Sequence, residues 1–284
     1  MRVSKEQLES LTETDVRDPI PKESLLPALT SPPFILSASL INVRDLGAVP
    51  GSAIRPGLVY RCGTLEVAAQ DPHALSWIAA NVKHIFDIRS PREREKAPDP
   101  DVEGVQNTWF DSTGIDTQPI LDEFVEGGGE AGVRKEYLKV LDIYQPSFRA
   151  VLEHVRDGPG EGFLFHCTAG RDRTGVLAGI LQSLAGTKPD DVRFDYMLSR
   201  IGTEPARERL LKYALLGTAL AAEDDHPGFY NMCSLRRSCW DAFVAGVEEE
   251  YGGWESYVTK TLGFSNEDLE KIKDHLRGTQ ALPN

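Results

Sequence analysis

The 284-residue sequence predicts an α/β fold, with a central, mostly parallel sheet flanked by helices. Two apolar runs, residues 85–88 and 163–166, have the composition of strands buried on both faces, which is typical of parallel sheets covered by helices. Segments with helical periodicity lie between and after them, at residues 133–156 and over much of 189–278. No internal repeat or domain boundary interrupts this pattern. We therefore expect residues 34–284 to form a single domain.

The N-terminal residues 1–33 are expected to form an arm on the surface of this domain. They contain five prolines and show little hydrophobic periodicity. Such a composition favours an extended segment with one short helix at most.

The first half of the domain shows short strand and helix signals in alternation. A strand is predicted at residues 58–60 and a helix at 73–82. Ser90, Pro91 and Glu93 have the spacing of a capping box with proline at the first helical position, which predicts that another helix begins here.

The middle of the chain contains one more strand and two breaks. A strand is predicted at residues 105–110, followed by a polar loop from Asp111. Residues 126–132 are rich in glycine and predict a mobile connection. Pro146 is expected to bend or break the next helix, and Gly186 suits the end of a later one.

The charge balance limits the classes of ligand. The chain has 31 basic and 44 acidic residues and a formal net charge of −13. This charge is opposite in sign to the positive charge of a nucleic-acid-binding surface. We expect no nucleic-acid partner, and an anionic ligand must meet a local positive site. No apolar run approaches the roughly 20 residues that span a bilayer, so no integral membrane segment is expected.

Cysteine usage points to a reducing compartment. The four cysteines, Cys62, Cys167, Cys233 and Cys239, are too few for a disulfide framework and form no C-x-x-C pair. The polar, acidic N-terminus lacks the apolar stretch of a signal peptide. We expect a cytoplasmic location, free thiols, no structural metal and no other cofactor.

The most informative segment is residues 166–175, HCTAGRDRTG, at the end of a predicted strand. A loop between a strand and a helix can turn successive backbone N–H groups inward as an anion-binding nest, to which the helix adds its positive end. Arg173 can grip two phosphoryl oxygens. Because a positive environment favours the thiolate, Cys167 is expected to be a nucleophile beside an anion cradle.

This segment resembles the signature of the cysteine-dependent protein tyrosine phosphatase superfamily, H-C-x-x-G-x-x-R-[S/T], at every fixed position. Further segments resemble one branch, which contains bacterial secreted tyrosine and phosphoinositide phosphatases and their fungal relatives. They are residues 42–47, 55–61, 86–90, 195–198 and 251–257. The resemblance covers residues 34–278. It implies the phosphatase fold and hydrolysis of phosphotyrosine in proteins, with dual specificity or phosphoinositide activity as extensions.

The resemblance implies a role for each residue of the loop. Cys167 attacks phosphorus and forms a cysteinyl-phosphate, while Arg173 and backbone N–H groups bind the phosphoryl oxygens without a metal. The phosphate-binding residues are Thr168, Ala169, Gly170 and Arg171. Thr174 is expected to hydrogen-bond the cysteine sulfur, and His166 to orient the loop.

The general acid has two candidates. Asp172, beside Arg173, is implicated in the branch that the chain resembles, whereas many superfamily members use an aspartate on a loop after a neighbouring strand, the place of Asp111. Asp87, at the end of a predicted strand, is expected to position the loop or Arg173, or else to pair with Arg89.

Two features bear on the substrate. Relatives have lysine at the position of Arg171, so the charge is kept while the donor geometry changes. Its side chain is expected to reach the pocket rim and meet a second anionic group, or to pair with a nearby carboxylate. The apolar helices between residues 189 and 222 are expected either to cover the site as a lid or to pack as ordinary core.

Two other functions fit parts of the pattern. A rhodanese-like sulfurtransferase also has a cysteine in an anion-binding loop, but Thr174 and the five residues between Cys167 and Arg173 favour phosphate chemistry. A pseudophosphatase would bind phosphorylated partners without hydrolysis, and the intact Cys167, Arg173 and Asp172 argue against it. A nucleotide-binding P-loop is excluded, because no lysine followed by serine or threonine follows the glycine.

Overall fold

The described part of the chain contains one five-stranded sheet, in a computed structural model that describes residues 3–112, 119–218, 220 and 226–279. The strands are β1 (Arg44–Asp45), β2 (Val59–Cys62), β3 (His84–Asp87), β4 (Gln106–Trp109) and β5 (Phe163–His166). Their spatial order is β1-β2-β5-β3-β4. Strand β1 is antiparallel to β2, and the other neighbours are parallel. The predicted α/β class with a mostly parallel sheet is confirmed.

Helices cover both faces of the sheet. They are α1 (Lys5–Thr12), α2 (Lys22–Leu29), α3 (Pro72–Asn81), α4 (Pro91–Lys96), α5 (Glu130–Ile143), α6 (Gln145–Asp157), α7 (Asp172–Ala185), α8 (Pro189–Gly202), α9 (Arg207–Leu216), α10 (Pro227–Cys233), α11 (Arg237–Tyr251), α12 (Trp254–Ser256) and α13 (Asn266–Arg277). A π-helical turn, Tyr257–Thr261, lies between the last two. Among the described residues, no helix has both the length and the hydropathy needed to cross a bilayer.

Two apolar layers sandwich the central strand β5. Phe163 and Phe165 belong to the larger core, formed with α5 to α8, α11 and α13, whereas Leu164 belongs to a smaller core with α3. All three side chains are fully buried. Burial of each large apolar side chain contributes about 1.5–3 kcal/mol, so the sheet is fixed from both faces.

The register of the parallel strands creates one functional edge. Cys62 at the end of β2 and Asp87 at the end of β3 both pair with His166 at the end of β5. The loops that leave these three strands therefore meet at the same edge. In open α/β sheets, ligands bind in the crevice beyond the carboxyl ends of the strands.

The N-terminal residues differ from the expected arm. Two helices, α1 and α2, form there, and α1 begins with a capping box between Ser4 and Gln7. Leu8, Ile20 and Ala28 are buried in the larger core. The prediction of one short helix at most is wrong, because short amphipathic helices can be stabilised by burial of one face against the rest of the domain.

The remaining predicted elements mostly form where the sequence places them. The capping box at α4, the break near Pro146 and the left-handed Gly186 after α7 are confirmed. Residues 130–132, predicted as part of a mobile connection, instead lie in α5. A Cβ on Gly132 would come within 2.6 Å of the Phe124 ring, so this glycine permits close packing. Most of the polar loop predicted after Asp111, residues 113–118, lies outside the described residues.

Candidate active site

The segment 167–171 connects β5 to α7 at the edge where three parallel strands end. It turns sharply at Gly170, whose φ is +64°. A Cβ at this position would lie 2.3 Å from the carbonyl oxygen of Cys62. Glycine is therefore required both by the left-handed backbone and by the close approach to β2.

Carbonyl groups of this loop are bound from behind by buried side chains. Asn42 Nδ2 donates to the carbonyl oxygen of Gly170 at 2.7 Å, and Arg61 Nη2 donates to the same oxygen at 2.8 Å. Arg61 also donates to the carbonyl oxygen of Arg171 at 3.4 Å. Because these carbonyls face away from the cavity, the peptide groups that carry them direct their N–H bonds towards it.

The backbone N–H groups of the loop are left as free donors. Within the described residues, no hydrogen bond uses the N–H groups of residues 168–171. The first N–H groups of α7 also have no acceptor inside their own helix. Buried backbone donors are almost always satisfied, so a row of free N–H groups at a helix N-terminus is suited to an anion.

A buried ionic network fixes the residues behind the loop. Arg44 Nε and Arg61 Nη1 donate to the two carboxylate oxygens of Asp195, at 2.7 and 2.6 Å. All three side chains are buried. Burial acts to raise the pKa of Asp195, but the two arginines outweigh it and lower the pKa. The network keeps Arg61 in place against the loop carbonyls.

Glu93 is the main partner of Arg173. Its two carboxylate oxygens accept hydrogen bonds from Arg173 Nη1 and Nη2, at 2.6 and 2.7 Å. The hydroxyl of Thr168 donates to the same carboxylate. Burial acts to raise the pKa of Glu93, but Arg173 outweighs it and holds the pKa below its ordinary value. The sequence predicts Glu93 only as a capping residue, because Glu93 and Arg173 are 80 residues apart in the chain and no local pattern relates them.

His166 and Asp99 form a buried pair beneath the loop. His166 Nε2 lies 2.9 Å from Asp99 Oδ2. Burial acts to lower the pKa of His166, but the Asp99 carboxylate outweighs it and raises the pKa. Burial acts to raise the pKa of Asp99, but His166, Arg89 and Asn107 together outweigh it and lower that pKa to about 2. The pair fixes the residue immediately before Cys167.

Asp87 pairs with Arg89, the second of the two roles expected for it. Arg89 Nε and Nη2 donate to the two oxygens of Asp87, each at 2.8 Å. Arg89 also donates to Asp99 at 2.8 Å. Within the described residues, no hydrogen bond or ion pair joins Asp87 to Arg173, so Asp87 does not position that guanidinium directly.

One cluster of described residues has the composition of a metal site. The ligand atoms of Asp87, Asp99 and His166 lie within 4.8 Å of one another. However, Arg89 forms ion pairs with both carboxylates, so a positive charge already compensates them. The donor set is therefore better explained as an internal ion-pair network.

Asp172 lies at the first position of α7, facing the cavity. Tyr137 Oη donates to its Oδ1 at 2.6 Å, and Arg171 Nε lies 3.1 Å from both carboxylate oxygens. Its side chain is 36% exposed, so solvent and substrate can reach it. Tyr137 is in turn 3.0 Å from the hydroxyl of Tyr196, which connects Asp172 to α8.

Arg171 adopts the second of its two expected arrangements, pairing with a nearby carboxylate. Besides its contact with Asp172, Nη1 donates to the carbonyl oxygen of Cys233 at 2.6 Å and Nη2 to that of Met232 at 3.2 Å. These bonds connect the loop to the end of α10. All three nitrogens of the guanidinium are therefore engaged within the chain.

Among the described residues, Thr174 lacks its expected hydrogen bond, and Asp111 lies outside the cavity lining. Thr174 is fully buried in the first turn of α7, and its hydroxyl has no hydrogen-bond partner among the described residues. The predicted hydrogen bond to the Cys167 sulfur is therefore not formed in this arrangement. Asp111 is exposed after β4 and is absent from the described lining of the cavity.

A cavity of about 400 Å³ opens above the loop. Cys167, Asp172 and Arg173 lie on its floor, and Cys167 itself is 2% exposed. Apolar side chains of α5, including Val140 and Ile143, form one wall. Cavities of this size bury most of a small ligand. The site thus combines a thiol, a loop with free N–H groups and apolar walls.

The helices between residues 189 and 222 differ in how far they are buried. In α8, Phe194, Met197 and Leu198 are fully buried in the larger core. In α9, no residue is buried, and Leu211 and Ala214 line the cavity instead. Helix α8 therefore packs mainly as core, with Arg200 at the cavity, whereas several residues of α9 border the site.

Comparison with known proteins agrees with this geometry. The model of the tyrosine phosphatase family matches residues 35–278. The chain belongs to this family. It is 30% identical over 203 residues to a tyrosine-protein phosphatase of Nostoc commune, an alignment covering 70% of this chain and 67% of the relative. It is 25% identical over 249 residues to a Cupriavidus necator protein provisionally named a tyrosine-protein phosphatase, covering 84% and 86% of the two chains.

Family membership confirms the superfamily predicted from residues 166–175. The match begins at residue 35, so α1 and α2 lie outside it. Several residues that fix the loop, among them Asn42, Arg61 and Asp195, lie in segments that already resembled the family. Tyr137 and Asp99 lie outside those segments, and no local sequence signal marked them.

Proposed function

We propose that the chain hydrolyses phosphomonoesters through a cysteinyl-phosphate on Cys167, with phosphotyrosine in proteins as its main substrate. One observation carries this proposal: a loop with bound carbonyls and free N–H groups begins at Cys167 and leads into the helix whose second residue is Arg173. Free donors and a guanidinium around a thiol are suited to the charge that develops on a transferred phosphoryl group.

The first step transfers the phosphoryl group to the enzyme. The Cys167 thiolate attacks phosphorus, the S–P bond forms, and the bond to the ester oxygen breaks. Arg173 and the N–H groups of the loop bind the three non-bridging oxygens throughout. Glu93 holds the guanidinium of Arg173 in one orientation, so little reorganisation is needed during transfer.

The leaving oxygen must receive a proton, and we propose Asp172 as the donor. It lies on the cavity floor, partly exposed, and the hydroxyl of Tyr137 fixes one of its oxygens. In the second step a water molecule attacks phosphorus, Asp172 accepts its proton, and the S–P bond breaks. Asp111 remains the alternative donor, although the described cavity lining does not include it.

The buried hydroxyl of Thr174 supports a role late in this sequence. A buried hydroxyl without a partner is costly, and Thr174 has none among the described residues. The Cys167 thiolate becomes a leaving group when water attacks. We propose that Thr174 then donates to the sulfur, a contact that forms with the developing charge.

Phosphotyrosine is the substrate that the walls of the cavity favour. The ring of phosphotyrosine is apolar, and the cavity above Cys167 is bordered by Phe124, Val140 and Ile143. The two relatives carry names that describe tyrosine-protein phosphatases. The alternatives of a phosphate-binding pseudophosphatase and of a rhodanese-like sulfurtransferase receive no comparable support.

Finer assignments remain secondary proposals. They are dual specificity, phosphoinositide hydrolysis, membership of the branch with the bacterial secreted and fungal enzymes, and a cytoplasmic location. A multiply phosphorylated phosphoinositide would require a cation for its second phosphate. Arg171 is engaged with Asp172 and two carbonyls, so its contacts favour a structural role.

The proposal is tested with purified protein and a matched set of phosphopeptides. One peptide sequence is synthesised with phosphotyrosine, phosphoserine or phosphothreonine, and phosphate release is measured with a metal chelator present. We expect release from the phosphotyrosine peptide at least tenfold faster than from the others, and loss of activity in Cys167→Ala. Equal rates on all three peptides, or a requirement for added divalent metal, would contradict the proposal.

A further inference from the structure

Residues 13–20, between α1 and α2, are bound to the region where α8 ends and α9 begins. Arg200 of α8 donates to the carbonyl oxygens of Thr14 at 2.9 Å, Asp18 at 2.7 Å and Asp15 at 3.2 Å. Arg200 itself is 3% exposed. A buried guanidinium whose donors bind backbone carbonyls fixes the path of that backbone closely.

Two further side chains bind the same segment. Arg207, the first residue of α9, donates to the carbonyl oxygens of Val16 at 3.3 Å and Arg17 at 3.2 Å. The backbone N–H of Ile20 donates to Glu204 at 3.1 Å. The segment is therefore held at both ends and in the middle, although it lies outside the residues that match the family.

This attachment brings Val16 to the cavity above Cys167. Val16 is 8% exposed and packs in a small cluster with Phe229 and Cys233. It lines the same cavity as Cys167 and as Leu211 of α9. The end of the cavity formed by Val16, α9 and α10 is lined by apolar side chains, among them Leu211 and Met232, and also by Arg200 and Arg207.

We propose that Val16 forms one wall of an apolar subsite, which binds a hydrocarbon group attached to the aryl phosphate of the substrate. In a peptide this group is an apolar side chain next to phosphotyrosine. The inference rests on the proposed function for the phosphate end of the ligand. It adds that residues 13–20 influence which substituents fit, because they position Val16. Among the described residues of the first 34, Val16 alone lines this cavity.

The physical expectation follows from burial of methylene groups. Each buried methylene contributes about 0.8 kcal/mol, which is about fourfold in affinity. Aryl phosphates with longer para-alkyl chains should therefore gain in kcat/KM until the subsite is full. Because para-alkyl chains of different length change the acidity of the phenol very little, the gain reports binding and not leaving-group ability.

The experiment measures kcat/KM for phenyl phosphate and its 4-ethyl, 4-butyl and 4-hexyl derivatives, and dissociation constants for the matching 4-alkylbenzylphosphonates by calorimetry. The proteins are wild type, Val16→Ala and Val16→Phe. Phe229→Leu is the matched control, since Phe229 belongs to the same cluster and lies outside the described cavity lining. Circular dichroism confirms that each variant is folded.

For wild type and Phe229→Leu, we expect kcat/KM to rise at least tenfold from phenyl phosphate to its 4-butyl derivative. Relative to its own rate on phenyl phosphate, Val16→Phe should lose this gain in kcat/KM, and Val16→Ala should show a reduced gain. A wild-type series without a gain, or an undiminished gain in Val16→Phe, would overturn the inference. If no ester is hydrolysed, the proposed function fails, and the phosphonate affinities still decide on the subsite.

Discussion

The carboxylate of Glu93 accepts one hydrogen bond from each terminal nitrogen of Arg173, at 2.6 and 2.7 Å. A two-bond ion pair of this kind fixes both the position and the plane of a guanidinium. Glu93 is itself fixed, because it caps the backbone N–H of Ser90 at the start of α4. The orientation of Arg173 towards the cavity therefore depends on a helix terminus on a different loop.

Replacing Glu93 with glutamine should weaken catalysis without unfolding the protein. Glu93→Gln keeps the shape of the side chain and loses a charged hydrogen bond worth about 1.5–3 kcal/mol, so kcat/KM should fall about tenfold to hundredfold. Since Arg173 holds the pKa of Glu93 below its ordinary value, the loss should be the same at pH 5.5 and 7.5.

The matched control for this measurement is Glu95→Gln. Glu95 is exposed on the same helix and does not line the cavity within the described structure. It should retain wild-type kcat/KM. A Glu93→Gln enzyme with full activity would show that Arg173 needs no partner to keep its orientation.

The His166–Asp99 pair should make stability depend on pH. The pKa of Asp99 is lowered from 3.8 to about 2, so its contribution is present above pH 4 and is lost as pH falls towards 2. The pKa of His166 is raised above 6.5, so its contribution is complete below pH 6.5 and is lost as pH rises through the raised pKa. The pair therefore stabilises most between about pH 4 and 6.5.

Denaturant unfolding of wild type and Asp99→Asn measures this contribution. The difference in unfolding free energy between the two proteins should be largest between pH 4 and 6.5. There it should exceed its value at pH 2 by about 2 kcal/mol. Asp101→Asn, an exposed neighbour, is the control and should differ little from wild type at any pH. A difference for Asp99→Asn that stays constant from pH 2.5 to 9 would contradict the pairing.

Asp172→Asn should reveal the proton donor through the choice of leaving group. General acid catalysis contributes 10²–10⁴-fold, so the variant should lose about that factor with a phosphotyrosine peptide. It should lose much less with an aryl phosphate whose phenol is already acidic. Asp111→Asn, measured in parallel, should have a mild effect on both substrates. The reverse pattern would assign the proton to Asp111.

Removal of Arg171 should affect simple and multiply phosphorylated substrates equally. Arg171 contacts Asp172 and binds the carbonyls of Met232 and Cys233, so Arg171→Ala should disturb the loop itself. We expect about a tenfold loss of kcat/KM on both an aryl phosphate and an inositol lipid with two phosphates. A loss confined to the lipid would show that Arg171 binds a second phosphate and would support phosphoinositides as substrates.

The sequence predicts the loop and only some of its supports, for a physical reason. Ten consecutive residues specify the strand end, the Gly170 turn and the helix start, and these depend mainly on local backbone geometry. Glu93 and Asp99 reach the loop from 60 or more residues away, and the capping box of Glu93 already accounted for that residue locally. The contact between Val16 and the cavity likewise depends on the packing of α1 and α2.

The N-terminal helices show a second limit. Pro21 and Pro27 disfavour a helix in isolation, but one lies before α2 and the other is tolerated within it. The burial of Leu8 and Ala28 depends on α8, which is more than 160 residues away. Local propensity cannot report such tertiary burial.

The central claim is that Cys167 carries the phosphoryl group during turnover, and rapid quenching tests it most directly. Wild-type protein is mixed with a phosphotyrosine peptide in the presence of a chelator, denatured within milliseconds, digested and analysed by mass spectrometry. We expect one added phosphoryl group on the peptide that contains Cys167, absent in Cys167→Ala. Steady turnover with no modified Cys167 peptide at any quench time, or full activity in Cys167→Ala, would contradict the account.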